Sequence, residues 1–126
     1  MATWLDIEKH ALRLLGVLDE ADQPSGEQSA DALYALEAMF GSWENEGLRL
    51  GALVGTTLTA GGTVPLPASH YDAIAYGLAL RLAPQYGAPV SPQLTMDAMT
   101  SKNALLAQYA STTEAYVDAA YLMGMR

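Results

Sequence analysis

Ser69-His70-Tyr71-Asp72-Ala73-Ile74-Ala75-Tyr76-Gly77-Leu78-Ala79-Leu80-Arg81-Leu82-Ala83-Pro84 decides the fold. Ser69, with Asp72 three residues on, has the form of a capping box, so the spacing predicts a helix from Tyr71 to Ala83. Between those bounds only Asp72 and Arg81 are charged, while Ile74, Leu78, Leu80 and Leu82 point several ways around the axis. A helix apolar nearly all round belongs in the centre of a core or against a neighbouring subunit. Pro84 and Gly87 are expected to end it.

Three more helices surround it in the pattern. Thr3 and Asp6 form a second capping box for a helix from about Trp4 to Leu15, with Trp4, Ile7, Ala11, Leu14 and Leu15 on one side and Asp6, Lys9, His10 and Arg13 on the other. Ser25 and Gln28 open a helix over roughly 26–46, along which Ser29, Leu33, Leu36, Phe40 and Trp43 recur at helical spacing. Ser91-Pro92 opens a fourth over roughly 92–109, striped by Leu94, Ala98, Leu105 and Tyr109. Between the second and third helices, Thr57-Leu58-Thr59 and Thr63-Val64-Pro65-Leu66 flank Gly61-Gly62, which predicts a short β-hairpin or an extended loop. Pro65 and Pro67 would keep the second run short. The expected class is all-α, a four-helix bundle-like domain over 1–110 with an apolar C-terminal tail over 111–126. That tail carries Tyr116, Val117, Tyr121, Leu122, Met123 and Met125, and an end this apolar should dock somewhere. Two accounts stay open: a compact core with the tail folded back on it, or burial of helix three, the tail or both between chains.

Composition narrows the function. The chain has 126 residues, 51% apolar, which suits one folded domain. Six Lys+Arg stand against fourteen Asp+Glu, a net charge of -8. The cations Lys9, Arg13, Arg49, Arg81, Lys102 and Arg126 are scattered, so specific nucleic-acid binding is not expected. With no cysteine, disulfides, thiolate metal sites and cysteine nucleophiles are excluded. The first residues lack the basic and apolar regions of a secretion signal, and no run reaches the ~18 apolar residues of a membrane helix.

Chemistry is sparse. His10 and His70 each lack a second histidine at helical metal-pair spacing, so no metal or cofactor is expected and both histidines are assigned structural or solvated roles. Glu44/Glu46 and Asp19/Glu20/Asp22 fall at a helix end and in a polar loop, where solvated charge is the expected role. The glycines follow no phosphate-binding spacing. No catalytic residue is nominated; Glu44 and Asp72 are the least poor candidates for a small hydrolase.

The order of several segments resembles a known family. These are Leu12-Arg13-Leu14-Leu15-Gly16-Val17, Asp31-Ala32-Leu33-Tyr34-Ala35-Leu36-Glu37-Ala38-Met39, Trp43-Glu44-Asn45-Glu46-Gly47-Leu48, Val64-Pro65-Leu66-Pro67, the helix quoted first, and Tyr86-Gly87. Over roughly residues 5–110 this resembles the tail accessory, or packaged-DNA stabilisation, proteins of short-tailed phages and related head–tail connector adaptors. The resemblance implies a virion protein at the head–tail junction, assembled in the host cytoplasm as a ring, typically dodecameric, beneath the portal. Such a ring extends the DNA channel, retains packaged DNA until ejection, and presents a surface to tail or nozzle proteins. It further implies that the C-terminal segment reaches the portal, which makes Tyr116, Val117, Tyr121, Leu122, Met123 and Met125 the expected docking residues. Arg49 and Arg81 are then expected to meet carboxylates of neighbouring copies. Some members have been credited with cell-wall hydrolase activity, for which the carboxylate spacing here gives no support. The competing expectation is a stand-alone helical interaction module with no portal role.

Overall fold

The computed structural model describes residues 2–19, 21–50, 53 and 57–122, with side chains described as far as Tyr109. Its elements are α1 (Trp4–Leu14), α2 (Gly26–Asn45), a 3-10 turn (Ala68–His70), α3 (Tyr71–Tyr86) and α4 (Pro92–Leu122). The class is all-α.

Helix α1 begins where the capping pattern places it. The Asp6 N–H donates to Thr3 Oγ1 at 3.3 Å and the Thr3 N–H donates to Asp6 Oδ2 at 2.9 Å. The remaining orphan donors of this first turn are met from the loop: the Trp4 N–H donates to the Gly62 carbonyl at 3.1 Å and the Leu5 N–H to the Ala60 carbonyl at 2.9 Å. Of the expected hairpin or extended loop, the described residues form the loop. The turn at Gly61-Gly62 is present, with the Gly62 N–H on the Thr59 carbonyl at 3.0 Å, but Thr63 forms an antiparallel bridge with Thr3. Val64 donates to the Ala2 carbonyl at 3.0 Å. The second run therefore pairs with the start of α1 and not with 57–59, and no strand forms among the described residues.

Helix α2 is capped reciprocally by Ser25 and Gln28, at 3.1 and 2.8 Å. Its buried residues are Ala32, Leu36, Met39 and Trp43, so the core-facing stripe is rotated from the expected one, leaving Leu33 and Phe40 half-buried at its margin. Phe40 stands edge-on between Trp4, with ring centroids 5.8 Å apart, and Trp43, at 5.7 Å, which fastens α1 to α2. On α1 it is Leu12, fully buried, that fills the core, while Leu14 is 37% exposed.

Helix α3 is central. It contacts α1, α2 and α4, and buries Ala73, Ile74, Ala75, Leu78, Ala79, Leu82 and Ala83. Each fully buried leucine or isoleucine here contributes about 1.5–3 kcal/mol. Of the two accounts of an all-round apolar helix, the core of the chain itself suffices for α3. It starts at Tyr71 as expected, but its cap and its C-terminal end differ from expectation. Ser69 is not its cap: the 3-10 turn after Pro67 places Ser69 inside the turning chain, and its Oγ lies 3.2 Å from His70 Nδ1. At the other end the helix continues through Pro84 to Tyr86, the proline forfeiting the bond that an N–H there would give to the Leu80 carbonyl. Gly87, at φ 62°, then lets the Ala88 N–H reach the Ala83 carbonyl at 3.0 Å.

Helix α4 starts as expected, with the Leu94 N–H donating to Ser91 Oγ at 3.1 Å. Leu94, Ala98 and Leu105 are buried as the stripe requires, on the helix that packs against α3. The helix does not end near Tyr109; its backbone runs on to Leu122. Among the described residues no helix is long and apolar enough to cross a membrane.

Candidate functional site

Two buried polar pairs are the places where chemistry would be sought first. Glu8 of α1 is fully buried and accepts a 2.8 Å hydrogen bond at Oε2 from the Ser29 hydroxyl of α2, while its Oε1 is buried with no partner among the described residues. Burial pushes its carboxyl up to about 7, with the Ser29 bond acting in the opposite sense. A carboxyl raised this far can mark a general acid, yet Glu8 has no exposed surface and so meets no substrate in this conformation. The pattern missed Glu8. Its only signal is its spacing of four residues from both Trp4 and Leu12, which lie on the buried side of α1.

The second pair joins the start of α3 to α4. His70, 1% exposed, holds Nε2 at 2.9 Å from Tyr109 Oη, and burial lowers its pKa. With Ser69 on the other ring nitrogen, its environment is that of a tethered core histidine. His10 is exposed on α1, its ring 6.1 Å from that of Tyr76. Glu44 and Asp72 are both exposed, and Glu44 lies 3.6 Å from Arg49.

Surfaces offer more. A groove of about 260 Å3 between α2, α3 and α4 has Met39, Trp43 and Leu80 in its lining, together with Met99 and Arg81. Gly77 in its lining lets α2 and α3 come close: a Cβ there would come 2.9 Å from Met39 Sδ and 3.2 Å from Trp43 Cζ2. Lys102, also in the lining, binds both carboxylate oxygens of Glu46 at 2.8 Å. A second groove, about 250 Å3, lies along α2 and the chain after it, with Phe40, Leu48 and Leu50 in the lining and Glu37, Glu44 and Arg49 among the polar groups.

Arg49 and Arg81, the expected inter-subunit cations, are thus in different grooves. Arg49 already has Glu44 beside it, whereas Arg81 is exposed and has no ion pair among the described residues. Of the expected docking residues, Tyr116, Val117, Tyr121 and Leu122 lie on helical backbone in the last part of α4, and their side chains are outside the described residues. Met123 and Met125 are outside them altogether.

No curated protein matches the chain. The sequence profile of the P22 tail accessory factor matches residues 1–122, a span that takes in all four helices and the loop that pairs with the start of α1. The chain belongs to the P22 tail accessory factor family, a family of phage tail accessory proteins.

Proposed function

We propose that this chain is a head–tail connector adaptor: copies assemble as a ring beneath the portal, extend the DNA channel, retain packaged DNA and offer tail or nozzle proteins their attachment surface. The family match over residues 1–122 carries this reading. Charge supports it, because a net charge of -8 with scattered cations suits a wall past which a polyanion must slide. The last part of α4 and the residues after it, with Tyr116, Val117, Tyr121, Leu122, Met123 and Met125, are the proposed portal contact. Tyr, Met and Leu are residue types that anchor interface cores.

Co-sedimentation of the purified full chain with portal rings of the same virus tests this reading. Saturable binding that is lost on deleting 111–126, with the remaining helices still folded by circular dichroism, is the expected result. A folded chain that never sediments with the portal would favour the stand-alone module.

A further inference from the structure

Tyr34 is 76% exposed on the outer face of α2, more than any other large apolar residue described. One helical turn to either side are Ala30 and Ala38, and three residues to either side are Asp31 and Glu37, all exposed. Small residues around a tyrosine leave its ring standing proud of the helix, with carboxylates at its flank. Exposing that much aromatic surface forgoes a large apolar gain unless something covers it.

The groove between α2, α3 and α4 has the opposite character. Its lining is mostly apolar with charged groups among it, at about 260 Å3 it falls below the ~300 Å3 typical of small-molecule sites, and it suits a single inserted side chain. Met99 on its wall is 60% exposed. Its cations are not equivalent: Lys102 is held by Glu46, while Arg81 has no carboxylate partner among the described residues. In a chain with fourteen acidic residues against six basic ones, Arg81 is a cation open to an outside anion.

We infer that the groove beside Arg81 receives Tyr34 of a second copy of this chain, with that copy's Glu37 reaching Arg81. The placement of knob and groove dictates how copies join. Trp43 in the groove follows Tyr34 by nine residues, about 180° around α2 at 3.6 residues per turn. The groove's other residues on α2 and its cap, Met39, Ser42 and Glu46, fall about 80–140° from Tyr34, so knob and groove are different faces and one copy can offer its knob to one neighbour and its groove to another. A contact between unlike surfaces repeats from copy to copy and generates a ring or a filament. The inference deepens the ring reading and rests on it for the ring's closure. The central aromatic in a pocket, with an arginine pair at its edge, has the composition of an interface hot spot.

The test uses the absence of native cysteine. Full-length chain carrying Ala38→Cys, one turn from an intact Tyr34, and Met99→Cys together is treated with a short bis-maleimide, both on portal rings and free at high concentration. The expected product is a ladder extending beyond the dimer, with each single variant stopping at the dimer or below it. Arg81→Glu placed in the double-cysteine chain should cut the ladder about tenfold, and adding Glu37→Arg should restore it. Absence of any ladder beyond the dimer in both settings overturns the inference, as does a charge reversal that leaves the ladder unchanged. A ladder formed by free chain that never binds portal rings supports this contact and overturns the portal reading instead, so the two fail separately.

Discussion

His70 Nε2 lies 2.9 Å from Tyr109 Oη, so the turn that opens α3 is tied to α4 across 39 residues of chain. The two rings stand at 90° with centroids 5.9 Å apart, and the histidine is almost wholly buried.

Tyr109→Phe leaves a buried imidazole nitrogen without that partner, and should lower the free energy of unfolding by about 1–3 kcal/mol. Tyr86→Phe makes the contrasting case. Its hydroxyl is buried with no hydrogen-bond partner among the described residues, so removing it should be neutral or slightly stabilising. Urea unfolding of both variants decides the matter; equal losses would contradict the assignment.

Glu8 gives stability a pH dependence of definite sign. Its folded value of about 7 lies above the ordinary 4.5, so between them the folded chain holds a proton that the unfolded chain has released. Stability from this group is therefore present at low pH and lost as pH rises through about 7. His70 works the other way: its pKa is lowered by burial, so protonation of the unfolded chain below 6.5 draws stability off. Glu8→Gln separates the two. The melting temperature of the wild type relative to this variant should rise steadily as pH is lowered from about 8 to about 5, whereas a constant difference would show that Glu8 does not titrate in that window.

Two glycines within helices should respond oppositely to alanine. Gly41 faces open space, so Gly41→Ala should stabilise the chain by about 0.5–1 kcal/mol through helix propensity. Gly77→Ala brings a Cβ to 2.9 Å from Met39 Sδ and 3.2 Å from Trp43 Cζ2, and because both side chains are buried with little room to yield, overpacking should outweigh the same gain, for a net loss of up to about 2 kcal/mol. Thermal melts of the pair check it.

Local chemistry was the most legible part of the sequence. Thr3/Asp6, Ser25/Gln28 and Ser91 act as caps because each needs only neighbours within a turn. Ser69 misled, since the proline before it starts the turn early. The partner of Thr63 was not legible, because pairing with Thr3 joins residues sixty positions apart and leaves no trace in local alternation. The stripe on α2 was misplaced by a rotation that favours Ala32 and Met39, small and flexible residues that let α3 come close. Glu8 was not legible because a carboxylate in a helix ordinarily signals the solvent side, and here it is the buried partner of Ser29. The groove beside Arg81 was not legible, because its lining comes from three helices at once.

The most direct measurement is electron microscopy of portal rings incubated with the full chain and, separately, with a chain lacking 111–126. The account predicts a symmetric added layer beneath the portal with the full chain and bare portals with the shortened one. Bare portals with both, while the full chain remains folded, would contradict it.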